Sequence, residues 1–312
     1  PFKKTRILAS VLQSPTGTSE MEIILLYLNV LFLLPQIAQV YIYNQVKAHQ
    51  KEAQKLLDLL GEMEVAISLL RHKRDLEVVC QPVFTETGGI EGETLYHPLL
   101  SNPIANDVHF QKNMVISGDN ASGKSTYLKT VAINAILAQG LGFAYGETLA
   151  LPYGHVLTAM DVSDDIEVGD SYFITESKAI LRMIQHLKEP GFHYFFIDEL
   201  FKGTNTIERI GSGLGIVRWL ASQNCLYMIS SHDIELVAAS GEVNDNYHFD
   251  SRYVEGKIVF DYQIKPGSAV TKNAVNTLES LHYPEEITQT AKDLIDQYEE
   301  TGRWSLKEIE KE

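Results

Sequence analysis

Apolar residues along this chain follow three successive patterns. The first is a dense run from Met21 to Tyr43, broken by Asn29 and then by Pro35, Gln36 and Gln39. A membrane-spanning helix needs roughly 18–20 apolar residues with few breaks, and the unbroken part here is shorter. The run predicts a buried helix that kinks or ends at Pro35. The alternative is a membrane anchor, since Lys3, Lys4 and Arg6 precede it. Residues Pro15 to Ser19 separate that basic cluster from the apolar run, which is not the layout of a cleavable signal peptide. The second pattern runs from Gln45 to Lys73. Ala53, Leu56, Leu60, Met63, Ile67 and Leu70 recur in steps of three and four, which predicts one long amphipathic helix packed on another helix.

The third pattern follows a stretch from Val78 to Leu100, where Gly88, Gly89 and Gly92 mark turns between short strand-like pieces near Val83 and Leu95. From Lys112 onward, strands and helices alternate. Met114–Ile116, Tyr194–Ile197 and Leu226–Ile229 are continuous apolar runs, as expected of strands buried on both faces. Lys124–Gln139, Ser171–Leu187 and Ile207–Ser222 read as helices. This succession predicts an α/β fold, a mostly parallel sheet flanked by helices and preceded by long helices. Tyr247 to Tyr262 reads as two strands about a turn at Glu255-Gly256, and the tail from Pro284 as an acidic helix.

Composition narrows the classes. The 312 residues carry a net charge of −15, which argues against a protein that coats nucleic acid along its surface but leaves room for a local basic site. Two cysteines, Cys80 and Cys225, cannot form a disulfide framework, and a reducing cytoplasm is the expected compartment. The chain opens on Pro1 rather than Met, which reads as a fragment of something longer.

The chemistry is concentrated at the ends of the apolar runs. Gly118, Asp119, Asn120, Ala121, Ser122, Gly123, Lys124 and Ser125 fit G-x-x-x-x-G-K-[ST] without a mismatch, with an apolar strand before and a helix after. The glycines let backbone N–H groups turn inward onto phosphate oxygens, and the helix start adds its positive end. Lys124 is predicted to reach the β- and γ-phosphates of ATP, Ser125 to bind Mg²⁺, and Thr126 to complete the nucleotide contacts. The run Tyr194–Ile197 ends in Asp198 and Glu199. Asp198 is placed to hold Mg²⁺ through water, and Glu199 to orient and deprotonate an attacking water. His232 follows the next buried run, at a third strand end, where it would contact the γ-phosphate and that water.

Together these pieces resemble the C-terminal, ABC-like ATPase domain of the MutS family of DNA mismatch repair proteins, from about Tyr96 to Ala291. His97-Pro98-Leu99 is similar to the family's entry strand, and Asn106-Asp107 to its Asn-Asp motif. Asp164-Asp165, Gly169 to Phe173 and Glu176 resemble its signature loop. Gly203-Thr204-Asn205-Thr206 resembles the loop after Walker B, and Ser231-His232 the switch histidine. Asp119, Ala121 and Ser122 stand where the family has Pro, Met and Gly, which marks a divergent member.

The resemblance implies a P-loop ATPase of ABC type that hydrolyses ATP with Mg²⁺ and works as a homodimer. Ser171 would cap the γ-phosphate of the partner's ATP in trans; the local alternative is an N-cap of the helix it opens. DNA would be bound through regions outside these residues, with other repair proteins as possible partners, and ATP-driven closure would control a DNA clamp. The expected division is a helical segment at 1–77, ending the lever and clamp helices, the ATPase domain at 78–270, and C-terminal helices at 271–312. A non-hydrolysing nucleotide switch, held at a membrane through Met21–Tyr43 or serving as a scaffold, stays open. A phosphotransferase is disfavoured because no acceptor pocket is legible.

Overall fold

The computed structural model describes residues 20–76, 78–160, 172–254, 257–269 and 274–306. The chain divides into two compact units, residues 1–77 and 78–312.

The described part of the first unit is three helices, α1 (Glu20–Phe32), α2 (Leu34–Ala48) and α3 (Gln50–Arg74). Leu33 takes a left-handed conformation between α1 and α2, with Pro35 in the first turn of α2, so the apolar run does break at the proline. Two expectations are corrected here. Gln45–Lys73 is not one helix, because His49 departs from helical geometry between α2 and α3 while its ring Nδ1 bonds the Gln45 carbonyl at 3.0 Å. A side chain competing for a carbonyl of the helical ladder weakens that turn. Nor is the apolar run a buried helix. Tyr27, Val30, Leu31, Phe32, Ile37 and Val40 are all exposed, as are Leu56, Leu60, Met63, Ile67 and Leu70 of the α3 stripe. Among the described residues of this unit, no second layer faces these stripes. Among the described residues, no helix is long and apolar enough to cross a membrane.

The second unit begins with β1 (Val83–Thr85), β2 (Ile90–Leu95) and β3 (Asn106–Phe110), continues through β4 (Met114–Ser117) into α4 (Lys124–Leu141), and returns by β5 (Thr148–Pro152) and β6 (Gly154–Ala159). Then follow α5 (Tyr172–His186), β7 (Phe192–Asp198), α6 (Thr206–Leu220), β8 (Cys225–Ser230), α7 (Ile234–Ser240), the hairpin strands β9 (Asp245–Val254) and β10 (Lys257–Pro266), and the helices α8 (Ala274–Ser280) and α9 (Glu285–Thr301). A small sheet has the order β1-β5-β2-β3, and a six-stranded sheet the order β10-β9-β4-β8-β7-β6. From β9 to β6 every pairing in the large sheet is parallel, with β10 as an antiparallel edge. This is the mostly parallel sheet that the alternation of runs predicts.

Each central strand feeds two cores by its alternation. Met114, Ile116, Tyr194, Phe196 and Met228 pack toward Leu128 and Val131 of α4. Val115, Phe195, Ile197, Tyr227 and Ile229 pack toward Ile180, Met183, Val217 and Leu236 of α5, α6 and α7. Strands apolar on both faces are what a sheet with helices on both sides requires. His97–Leu99, expected as an entry strand, instead forms a turn after β2, with the Leu100 N–H on the His97 carbonyl at 3.3 Å. Pro98 has no N–H to give to a ladder.

Candidate functional site

The strand order places three loops side by side. β4, β8 and β7 are neighbours running in the same direction, so their carboxyl ends, carrying Gly118, His232 and Asp198, reach one edge of the sheet. Crevices outside the carboxyl ends of parallel strands are where such sheets bind ligands.

The loop from Gly118 to Gly123 needs its glycines. Gly118 has φ +140°, and a Cβ there would lie 2.8 Å from the Phe249 carbonyl oxygen. Gly123 has φ +111° and stands at the N-cap of α4, whose first turn has no side-chain cap. The helix start therefore keeps backbone N–H groups for an anion. Asn120 follows Asp119 in this loop, and Ala121 also takes a positive φ of 64°. Asp119 is anchored to the Ser251 hydroxyl of β9, while the Ser122 hydroxyl is buried without a hydrogen-bond partner in the structure.

Lys124 is buried and its Nζ donates to the carbonyls of Gly118 at 2.6 Å and Asp119 at 2.9 Å. Burial pulls its amine below the usual lysine range, against the opposing pull of Glu199, Asp198 and Asp119. The Ser125 hydroxyl donates to Asp198 Oδ1 at 2.9 Å, and the Ser230 hydroxyl to the same oxygen at 2.5 Å.

Glu199 sits just past β7 with φ 59°, a left-handed conformation uncommon outside glycine and often found where side chains must be aimed. Its N–H is held by the Ser230 carbonyl at 3.2 Å. Its carboxylate meets His232 Nδ1 at 3.2 Å and Lys202 Nζ at 3.4 Å. Burial alone would raise this carboxyl, but the His232 hydrogen bond and the charges of His232, Lys202 and Lys124 outweigh it and hold it at about 2. The same hydrogen bond raises His232 above the ordinary histidine value, against burial. Behind His232, Asp233 takes a two-point clamp from Arg209 of α6 at 2.6 and 2.8 Å.

Two further groups support the loop after β7. Glu176 of α5, buried, accepts the backbone N–H groups of Lys202 at 3.3 Å and Gly203 at 3.4 Å. Asn205 caps α6 by accepting the Glu208 N–H at 3.0 Å. Asn106 joins β3 to the hairpin, donating to the Tyr262 carbonyl at 3.0 Å and accepting the Ile264 N–H at 2.9 Å. Ser171, Asp164, Asp165, Gly169 and Asp170 lie outside the described residues.

Sequence reasoning missed a cavity of about 340 Å³ beside the loop. Leu95, His97, Ile104, Tyr127, Phe249 and Tyr262 line it together with Gly123 and Thr126. Its walls come from β2, the loop after it, α4 and the β9–β10 hairpin. A second cavity of about 610 Å³ opens on the other side, between Gly118–Asn120, His232 and the α9 end with Tyr298 and Trp304.

The comparisons with known proteins bear on this geometry. The sequence description of MutS domain V matches residues 114–299, which span β4 to the last turns of α9. This chain belongs to the MutS family. It is 28% identical over 272 residues to human MutS protein homolog 4, covering 81% of this chain and 28% of that protein. It is 27% identical over 272 residues to the DNA mismatch repair protein MutS of Thermus thermophilus, covering 83% and 32%. It is 25% identical over 299 residues to the DNA mismatch repair protein MutS 2 of Haloarcula marismortui, covering 86% and 31%. The chain thus spans about a third or less of the length of the relatives it matches.

Proposed function

We propose that this chain is an ATP-binding and ATP-hydrolysing domain whose nucleotide cycle drives closure of a DNA-bound MutS-type clamp. The observation that carries it is the Ser125–Asp198 hydrogen bond of 2.9 Å, which joins the phosphate-binding motif to the strand-end acid. Gly118 to Thr126 would wrap the triphosphate with loop N–H groups and the start of α4, and Lys124 would leave its loop carbonyls for the β- and γ-phosphates. The cavity of His97, Ile104, Tyr127, Phe249 and Tyr262 fits a planar, mostly apolar base.

Ser125 and Asp198 fit Mg²⁺. Both are hard oxygen donors, joined here by a 2.9 Å hydrogen bond; Ser125 would bind the ion and Asp198 would hold it through water. When bound there, Mg²⁺ neutralises charge on the phosphate oxygens. Glu199 would accept the proton of the attacking water. Its carboxylate is ionised at any physiological pH, and it gains basicity when His232 or Lys202 turns from it toward the phosphate. Ser171 would supply a hydroxyl to the γ-phosphate bound by a second copy, making hydrolysis depend on homodimer closure. DNA, and other repair proteins, would be engaged outside these residues.

Steady-state hydrolysis by Glu199→Gln tests the reading. Loss of a general base lowers turnover by about 10²–10⁴-fold while nucleotide binding persists; equal rates would leave a non-hydrolysing switch instead. In the same assay Ser171→Ala mixed with Glu199→Gln should recover activity by forming one intact composite site. Absence of recovery would leave Ser171 as an N-cap.

A further inference from the structure

The opposite end of the large sheet carries a cluster that the nucleotide site does not use. We infer that His155, His186 and His193 form a binding site for one divalent transition-metal ion of the Zn²⁺ class.

His155 and His193 are register partners on the adjacent parallel strands β6 and β7, so their side chains leave the same face of the sheet side by side. Their rings stack at 4.9 Å between centroids. α5 ends on His186, and the turn back into β7 brings its ring edge-on to both, at 4.9 Å from His155 and 5.6 Å from His193. One ring nitrogen from each of the three lies within 4.8 Å of the others. Three nitrogens around a tetrahedral ion at about 2.0–2.1 Å lie roughly 3.4 Å apart. Small ring rotations close that gap, and two of the rings are free to make them because His155 is exposed and His186 half-exposed.

The hydrogen bonds already prepare the rings. His193 Nε2 faces the His186 carbonyl at 3.1 Å, and His155 Nε2 faces the Pro190 carbonyl at 3.2 Å. A carbonyl only accepts, so each Nε2 carries the proton and the lone pair of the neutral ring falls on Nδ1. Metal-bound histidines characteristically donate their other N–H to a carbonyl in this way. No carboxylate belongs to the cluster. Three imidazoles and no oxygen ligand suit Zn²⁺, Co²⁺, Ni²⁺ or Cu²⁺ and disfavour Mg²⁺ and Ca²⁺.

The site is separate from the nucleotide. His193 lies five residues before Asp198 on one strand, about 16 Å at 3.3 Å per residue. Its role would be to fasten β6, which among the described residues is the edge strand of this sheet and pairs with β7, to the last turn of α5.

The test uses the 312-residue chain without a histidine tag, stripped of metal and titrated with Co²⁺, then with Zn²⁺ in competition. One Co²⁺ per chain with a tetrahedral d–d absorption band, displaced by Zn²⁺, is expected. His155→Ala and His186→Ala should each weaken binding by at least about 100-fold and abolish the rise in Tm that Zn²⁺ gives the parent chain. His72→Ala, in α3, should change neither. Failure of the parent chain to bind Co²⁺ at micromolar concentration would overturn the site. So would binding that survives in both cluster variants, provided their circular dichroism matches the parent.

Discussion

The central strands of the large sheet and the helices of residues 20–76 both carry many apolar side chains, yet they treat them oppositely. Tyr194, Phe195, Phe196 and Ile197 are at most 1% exposed, while Leu56, Leu60 and Leu70 are 53–69% exposed. Periodicity specifies the local element in both places. Burial depends on what the same chain sets opposite, and among the described residues the facing layers lie in the second unit. The exposed stripes of α1 to α3 are therefore helix-forming information that the described residues of their own unit leave uncovered.

The contrast can be broken by substitution. Phe196→Ala, between β7 and α4, should cost about 3–5 kcal/mol by denaturant titration; a smaller loss would mean that the core is loosely packed. Lys124→Ala acts on the site rather than the core. Removing the buried cation at this loop should weaken ATP binding by about 2–5 kcal/mol, or roughly 30-fold and more, as calorimetry would read. Unchanged affinity would displace the nucleotide from this loop.

A smaller effect concerns pH. His232 is raised in the folded chain, so its contribution to stability is complete below the unfolded histidine value of about 6.5 and is lost as pH rises through the folded value. Glu199, held at about 2, stays ionised across that window. His232→Gln should therefore destabilise the chain at about pH 5.5 more than at about pH 8.5, and a loss independent of pH would indicate packing instead. The smallest effect belongs to the exposed stripe. Leu60→Ala should fall within about 0.5 kcal/mol, and a larger loss in a thermal melt would show that something covers α3 in solution.

Much of the second unit is legible in the sequence because its strands are continuous apolar runs and its helices start and stop on strong signals. The Gly118–Ser125 loop announces itself by spacing. The acids at 198 and 199, and His232, follow from where apolar runs end, and parallel order brings those ends together. Other features carry no local signal. Phe249 and Tyr262 join Tyr127 in one cavity only because β9 pairs with β4 across more than a hundred residues. His186 and His193 meet His155 through strand register, which no motif encodes. His49 breaks a helix that the apolar spacing would continue, and Pro98 removes a strand that the resemblance implied.

Glu176 gives the site a mechanical property. Its carboxylate grips two successive peptide groups of the segment that carries Lys202, and Lys202 in turn grips Glu199. α5 and the acid that would handle water thus act as a tie rod and its lever arm. A displacement of that helix would act on Lys202 through those two hydrogen bonds, and so on the ion pair that restrains the acid.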